Sequence, residues 1–355
     1  MILVIAEKPS VSGSLSKVIG ATSRKNGYFE GGGYLVSWCL GHLAEYVEPN
    51  AYDKKCERWH YEDLPIIPDT WRLAVAEAKK EQFKVLSDLL NRSDLEYIVN
   101  ACDAGREGES IFRRVYALAG SKAPVKRLWI SSMEDVSIRD GFAHLKDSSD
   151  YDHLFQAAEC RAKADWLVGM NATRVFTTKY YKRLVIGRVQ TPTLAMLVER
   201  QHKMDNFVRE SYYKVSLSGD GLTVTSDPIK EETEANHLVQ NCQGKPATVT
   251  KLEKTKKTTK SPRLYDLTTL QREANRVFGY TAQDTLNTLQ ELYEEKLVTY
   301  PRTDSQYITE DMAGTVQGLL TDLPKIVPFL SEIAIGDQVS SLVNNAKVTD
   351  HHAIL

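Results

Sequence analysis

Apolar and polar positions over residues 1–150 are spaced so as to predict strands and helices that alternate along the chain. Segments rich in apolar residues predict strands at residues 2–6, 34–38, 95–101 and 125–130. Helical spacing predicts helices at residues 10–19, from near Trp71 to about Asn91, and at residues 106–119. Alternation of this kind is typical of a mostly parallel sheet covered by helices. In such sheets, functional groups collect beyond the carboxyl ends of the strands.

The pattern changes after residue 150. Residues 151–205 have helical spacing, interrupted by a predicted loop at residues 185–191. Short alternating runs at residues 213–217 and 222–224 predict strands. Two further helices are predicted at residues 268–278, behind a possible cap at Asp266, and at residues 281–295. The chain therefore combines an α/β part with helical and β-rich parts, which its 355 residues are long enough to contain.

Composition narrows the class of protein. The five cysteines include no Cys-x-x-Cys pair, which argues against a zinc site and a disulfide framework. No run of 18 apolar residues occurs, and the apolar N-terminus is too short for a signal peptide, so we expect a cytoplasmic protein without membrane contact. Because the net charge is only −2, any nucleic-acid site must be built from local charge.

Local positive charge occurs in two places. Between Arg161 and Arg188, seven basic residues accompany one acid, Asp165, and four aromatic residues are interleaved with them. A second basic run spans residues 251–263 and includes Lys260. A charge run on its own is more often a solvated face or a linker than a binding site.

Acidic residues follow two of the predicted strands. Glu7 and Lys8 come directly after the first strand, and Asp103 and Glu107 follow the strand at residues 95–101. If these strands are neighbours, Glu7 and Asp103 project into one crevice, where they suit Mg²⁺ or could protonate a departing sugar oxygen. The alternative is that the acids are helix caps and first-turn charges, an interpretation that fits Glu109 well.

Tyr300-Pro301-Arg302 is the second candidate constellation. A tyrosine hydroxyl needs help to attack phosphate near neutral pH, and a guanidinium two residues away can gather the charge that develops. In an extended segment, residues two apart share a face. For an isolated Tyr-x-Arg, a packed tyrosine beside a surface arginine is the commoner explanation.

The loop at residues 185–191 is a third candidate. Gly187 lets the backbone approach a phosphate, and Arg188 and Gln190 can contact backbone oxygens or a base edge. A plain helix N-terminus entered through Pro192 explains the same pattern.

These motifs, taken in order, resemble those of type IA DNA topoisomerases, specifically the N-terminal portion of the topoisomerase III subgroup. The strand-end acids resemble the Toprim fold, although Gly105 stands where many members have a second aspartate. The segments 161–171, 187–190, 264–274, 300–305 and 350–355 also resemble family elements, with Val185 where a serine is frequent. The resemblance covers essentially the whole chain.

The resemblance implies a Toprim domain at residues 1–150, a helical DNA-binding domain at 151–211, a β-rich arch at 212–264, a mostly helical tyrosine-bearing domain at 265–350 and a return segment beginning at 351–355. It implies an ATP-independent enzyme that relaxes and decatenates DNA. The implied DNA partner is single-stranded or negatively supercoiled, and the implied location is the cytoplasm, in association with the nucleoid. The absence of a Gly-Lys-Ser/Thr phosphate loop agrees with the independence from ATP.

The resemblance also implies residue roles. Tyr300 attacks the DNA and stays joined to the 5′ phosphate, Glu7 handles the proton of the 3′ hydroxyl, and Lys8 and Arg302 stabilise charge. His351 positions the phosphate, and Glu7, Asp103 and Glu107 are the candidate ligands of Mg²⁺. The implied DNA contacts are Trp59, for which core packing is equally plausible, Arg161, Asp165, Val185, Ile186, Gly187, Arg188, Val189, Gln190 and Arg302.

Two expectations complete the picture. Because the family continues beyond the motif in which this sequence stops, we expect a fragment that cleaves weakly yet fails to relax DNA; robust relaxation would contradict this. The alternatives are a Toprim nuclease or primase, which needs no Tyr300-x-Arg302, and an inactive DNA-binding remnant.

Overall fold

The protein is described here by a computed structural model that covers residues 1–130, 133–259, 262–295, 297–327, 339–348 and 351–355. It divides into two compact units, of which the first comprises Met1–Gly187 with Pro262–Leu355 and the second Arg188–Ser261. The strands are β1 Ile2–Ala6, β2 Ser23–Lys25, β3 Tyr28–Gly31, β4 Tyr34–Trp38, β5 Ala44–Tyr46, β6 Leu73–Val75, β7 Tyr97–Ala101, β8 Val125–Arg127, β9 Lys146–Asp147, β10 Ser216–Gly219 and β11 Leu222–Thr225. The α-helices are α1 Pro9–Ile19, α2 Pro49–Tyr52, α3 Lys80–Leu90, α4 Arg106–Ala119, α5 Asp135–Ala143, α6 Asp152–Tyr180, α7 Gln190–Asp205, α8 Glu232–Cys242, α9 Leu267–Phe278, α10 Ala282–Glu294 and α11 Ala313–Ile326.

A seven-stranded sheet organises the first unit, in the order β2-β3-β4-β1-β7-β8-β9. Its centre is parallel: β1 pairs with β4 and β7, and β7 pairs with β8. The outer pairs β2–β3, β3–β4 and β8–β9 are antiparallel. The predicted mixed α/β fold with a largely parallel sheet is confirmed.

Both faces of this sheet are buried. Leu3 and Ile5 of β1 pack on one face with residues of α3 and α4, whereas Val4 and Ala6 pack on the other with residues of α1 and α5. Because successive side chains of a strand point to opposite faces, a strand covered on both sides is largely apolar. This explains why β1 is a continuous apolar run and why β7 is apolar except for Asn100, whose buried amide donates to Glu109.

The helix predicted from near Trp71 is wrong at its start. Residues 73–75 form β6, which pairs antiparallel with β5, and α3 begins only at Lys80. Leu73 and Val75 are matched with Tyr46 and Ala44 across the ladder, so a distant partner overrides the helix-favouring composition of this stretch.

The helices before Tyr300 begin at polar caps. Asp266 accepts a hydrogen bond from the backbone N–H of Thr269, and Thr281 forms a reciprocal capping box with Asp284. Helices α9 and α10 therefore start at Leu267 and Ala282, within one residue of the predicted positions.

The last described residues run beside the segment that carries Tyr300. Thr299 N–H donates to the Leu355 carbonyl, and Ala353 N–H donates to the Tyr307 carbonyl. The Thr303 hydroxyl also donates to the carbonyl of His351. These bonds bring two segments about fifty residues apart in the sequence into contact. Asp350, which opens the predicted C-terminal motif, lies outside the described residues.

The second unit contains α7, α8 and a two-stranded antiparallel hairpin of β10 and β11. The strand predicted at residues 213–217 begins only at Ser216, while Tyr213 forms an isolated bridge with Ile229. Lys260 of the second basic run lies outside the described residues. None of the helices in the described ranges combines the length and apolar character that a bilayer crossing requires.

Candidate active site

The candidate site lies at the carboxyl edge of the parallel sheet. Ala6 of β1 and Ala101 of β7 are matched in register, so the chain leaves both strands at the same edge. Glu7 and Lys8 follow Ala6 directly, and Asp103 follows two residues after Ala101. The neighbouring strands that the sequence analysis required are therefore present.

Lys8 joins the two acids. Its Nζ lies 3.3 Å from Oε1 of Glu7 and donates a hydrogen bond of 3.1 Å to Oδ2 of Asp103. The same Asp103 oxygen lies 3.3 Å from Nε2 of His351. One carboxylate oxygen thus faces both a lysine from the N-terminal sheet and a histidine from the C-terminal segment.

Tyr300 packs against this cluster. The centroid of its ring lies 4.2 Å from Nζ of Lys8 and 4.4 Å from the ring centroid of His351. Tyr293, at the end of α10, stacks edge-on against Tyr300 with a centroid separation of 5.4 Å. The structure therefore brings Glu7, Lys8, Asp103, Tyr300 and His351 into one contiguous group.

The pKa values of Glu7 and Asp103 are shifted in opposite directions. Burial, reinforced by the neighbouring Asp103, raises the pKa of Glu7. Burial also opposes the charge on Asp103, but the hydrogen bond from His351 and the charge of Lys8 outweigh it and lower the pKa of Asp103 to about 2. Glu7 is thereby suited to hold a proton while Asp103 stays ionised.

Lys8 remains a cation at this site. Burial opposes its charge, but the carboxylates of Asp103 and Glu7 outweigh that effect and raise its pKa. An ammonium in this position stabilises negative charge developing on a neighbouring oxygen. It cannot itself accept a proton near neutral pH.

Gly108, in the first turn of α4, lets the helix pack against the backbone of Asp103. A Cβ at this position would lie 2.1 Å from the carbonyl oxygen of Asp103. We expect Gly108→Ala to lower the free energy of unfolding by about 1–3 kcal/mol, the usual cost of overpacking. Urea denaturation followed by circular dichroism measures this.

Gly13 supplies the matched control for this prediction. It also lies within a helix, α1, but a Cβ there meets nothing within 4 Å. Gly13→Ala should therefore stabilise the protein by up to about 1 kcal/mol through helix propensity alone. Equal effects of the two substitutions would contradict the close approach at Asp103.

The donor set at the strand ends fits magnesium in part. Glu7 and Asp103 offer adjacent hard oxygen donors, and Mg²⁺ is commonly held by one or two carboxylates with water completing its shell. Gly105 contributes no donor, and its φ of −171° is extended backbone that any residue adopts. Within the described part of the chain, no three side chains among His, Cys, Asp and Glu are grouped so as to hold a metal ion.

Glu107 takes part in a different set of contacts. It accepts a 2.6 Å hydrogen bond from Nη1 of Arg161 and lies 3.6 Å from Nε2 of His42. Asp165 lies 3.8 Å from Nε of Arg161. Arg161 is thus oriented by two acids, while the part of Glu107 in metal binding stays a prediction.

Arg302 and Trp59 lie at the surface. Arg302 is exposed and forms no ion pair with the described residues. Trp59 is 38% exposed, and the guanidinium of Arg174, itself buried, lies 4.9 Å from the centroid of the Trp59 ring. The exposed part of Trp59 leaves room for the predicted stacking on a base.

The first part of the predicted DNA-contact loop is hydrogen-bonded to helix α6. The hydroxyl of Thr173 bonds both the N–H and the carbonyl of Ile186, and Thr177 does the same for Leu184. Val185 is exposed between them, and Gly187 closes the first unit. In the second unit, Arg188 and Val189 are exposed and Gln190 opens α7, so the predicted helix N-terminus near Pro192 is present.

Several residues around the site escape sequence reasoning. Tyr293 gives no local sign of its contact with Tyr300, because tertiary packing alone brings it there. Glu109 lies in the first turn of α4 as expected, yet it is fully buried and paired with Arg113 and Arg127 rather than facing solvent. The available sign was Arg127, a charged residue within a predicted strand of the sheet.

Comparison with known proteins places these features in a family. A family model described as DNA topoisomerase matches residues 149–355, and one described as Toprim domain matches residues 2–133. The chain is 44% identical over 365 residues to DNA topoisomerase 3 of Bacillus subtilis, and 44% identical over 366 residues to that of Bacillus licheniformis. Each alignment covers 99% of this chain and 50% of the relative, so the chain spans about half their length.

A solved structure shares the fold. The full-length topoisomerase I from Thermotoga maritima superposes with a TM-score of 0.61 over 90% of this chain and 52% of that protein, at 22% sequence identity.

Proposed function

The chain belongs to the DNA topoisomerase family, and its sequence relatives are of the topoisomerase III kind, so we propose that it cuts one DNA strand with Tyr300 and reseals it. The observation that carries the proposal is the contact of Tyr300 with Lys8 and His351, both of which contact Asp103. A tyrosine merely packed at a segment end has no need of this cluster.

In the proposed cleavage step, the phenol oxygen of Tyr300 forms a bond to phosphorus and the bond from phosphorus to the 3′ oxygen breaks. The phenol proton passes to solvent, and Glu7 donates a proton to the departing 3′ oxygen, a role that its raised pKa supports. Lys8 and Arg302 stabilise the charge on the phosphate, and His351 holds it in place. Religation is the same step in reverse.

No separate energy source is required for this cycle. The phosphotyrosine bond replaces one phosphodiester with another, so the free 3′ hydroxyl can attack it and restore the strand without ATP. Between the two steps another strand passes through the break, which gives relaxation or decatenation.

Magnesium is the proposed cofactor, held by the carboxylates of Glu7 and Asp103 with water as the remaining ligands. When bound, it would supply positive charge that orients the DNA phosphates for religation. We keep Glu107 as a candidate third ligand, although its contacts are with Arg161 and His42.

The proposed substrate is single-stranded or negatively supercoiled DNA in the cytoplasm, at the nucleoid. Its backbone would be contacted by Arg161, with Asp165 orienting that arginine, and by the loop at residues 185–190. Exposed Trp59 would stack on a base, as aromatic side chains do in proteins that bind single strands.

A single-stranded oligonucleotide labelled at one end or the other tests the proposal. We expect the 3′ label to migrate with the protein in a denaturing gel, because the downstream fragment carries the 5′-phosphotyrosine link. The 5′ label should appear on a shortened, free fragment. Free fragments with both labels would indicate a nuclease, and binding without cutting would indicate a DNA-binding remnant; either result contradicts the proposal.

A further inference from the structure

A buried arginine lies behind the strand end that carries Asp103. The side chain of Arg127, on β8, is 1% exposed. Its Nη1 donates to the carbonyl oxygens of Asn100, Cys102 and Leu128 at 3.1, 2.6 and 2.7 Å. Its Nη2 donates to the carbonyl oxygen of Asp103 at 2.7 Å. Three of these four carbonyls belong to the segment that ends in Asp103.

Glu109 holds this guanidinium in place. Its Oε1 lies 2.7 Å from Nε of Arg127, and its side chain is fully buried. The same oxygen accepts a 3.0 Å hydrogen bond from the side-chain amide of Asn100, whose own oxygen accepts from the N–H of Cys102. Strand β7, helix α4 and strand β8 are thereby tied together at one point.

Burying the charges of Arg127 and Glu109 costs free energy, and filling the interior does not by itself account for their presence there. A buried ion pair is often no more stabilising than apolar side chains of the same volume, because both charges lose their hydration. Its contacts, however, are directed at backbone positions 100, 102 and 103. Gly108 lets α4 closely approach the same carbonyl oxygen of Asp103.

We propose that Arg127, held by Glu109, is a positioning residue that fixes the backbone of Asp103 so that its carboxylate meets Lys8 and His351. The inference rests on the proposed function of that cluster. Arg127 does not touch DNA or the reacting atoms; it acts through Asp103.

The guanidinium suits this role because of its shape. Its two terminal nitrogens donate to four carbonyl oxygens, while Nε of the same rigid plane lies 2.7 Å from the carboxylate of Glu109. A lysine ammonium keeps the charge but is a single point, so it cannot span Glu109 and Asp103 together. Arg127→Lys therefore separates geometry from charge.

The test compares Arg127→Lys with Arg114→Lys in the 355-residue chain. Arg114 is a matched control because it is 5% exposed and its Nε donates to Glu159 at 2.7 Å, in contacts directed at α6 rather than at Asp103. For each variant, adduct formation with the single-stranded oligonucleotide gives a maximal rate and a half-saturating concentration. Circular dichroism establishes a temperature at which all variants are folded.

We expect Arg127→Lys to lower the maximal rate by about 10- to 100-fold while the half-saturating concentration changes by less than about twofold. Arg114→Lys should leave both within about threefold of the unsubstituted chain. Glu109→Gln, which keeps the shape of the side chain but removes its charge, should show the same split as Arg127→Lys and serves if that variant does not fold.

The outcomes distinguish the two proposals. If the unsubstituted chain forms no adduct, the proposed function fails and the positioning role falls with it. If it forms the adduct and folded Arg127→Lys and Glu109→Gln keep the maximal rate of Arg114→Lys, only the positioning role is overturned. A loss confined to the half-saturating concentration would also overturn it, because it would indicate weaker DNA binding.

Discussion

Replacement of Tyr300 by phenylalanine is expected to reduce the covalent protein–DNA adduct below detection. The substitution removes one oxygen and leaves the ring, so its packing against His351 and Tyr293 persists. Without that oxygen residue 300 cannot form a bond to phosphorus. The measurement is the 3′-labelled adduct on a denaturing gel.

Tyr307→Phe is the control for this experiment. Tyr307 lies in the same segment, but its hydroxyl accepts a long hydrogen bond of 3.5 Å from Lys347 and takes no part in the cluster. This variant should form the adduct at a rate within about twofold of the original. Adduct that survives in Tyr300→Phe would assign the nucleophile to another residue.

Removal of the Lys8 ammonium is expected to slow adduct formation by about 10²- to 10³-fold, the usual effect of deleting one charge-stabilising donor in an active site. Lys8→Ala takes away the cation beside Tyr300 and leaves the carboxylates of Glu7 and Asp103 without the charge between them. The initial rate of adduct formation at saturating oligonucleotide measures the loss.

The raised pKa of Lys8 predicts how the loss of rate in Lys8→Ala depends on pH. A group whose pKa is raised stays protonated throughout the neutral range, so the deficit should be the same between about pH 6 and pH 9. A deficit that vanishes toward the alkaline end would mean that Lys8 loses its proton there, contrary to its contacts with two acids.

A second lysine that packs on a tyrosine ring provides the control. Lys126 Nζ lies 4.8 Å from the ring centroid of Tyr97, a distance similar to that between Lys8 and Tyr300, but on β8 and outside the cluster. Lys126→Ala should leave the rate within about twofold. An equal loss in both variants would show that Lys8 acts through stability rather than through charge.

The parallel sheet could be predicted from the sequence because its strands are buried on both faces. A strand of that kind is apolar at nearly every position. Residues 2–6 show this without reference to any partner, and so do residues 95–101 apart from Glu96 and Asn100. The start of α3 could not be predicted from the sequence, because β6 forms only through its pairing with β5.

The candidate site likewise has a part that the sequence predicts and a part that it does not. The positions of Glu7, Lys8 and Asp103 after two apolar strands predict that they meet at one edge of the sheet, since parallel neighbours end together. No local pattern places Tyr300 and His351 there. Their approach depends on backbone bonds between residues 299–307 and 351–355, and on packing against the cluster around Lys8.

The sequence by itself determined which side chains could carry charge and chemistry, because residue type and strand or helix spacing are local properties. Only the tertiary structure decided which charges are buried together. The sequence suggests that Glu109 is an ordinary first-turn acid, yet its side chain is fully buried and paired with Arg127. Whether a charged side chain faces water or an opposite charge depends on neighbours that are distant along the chain. Differences in these neighbours give Glu7 and Asp103 opposite pKa shifts.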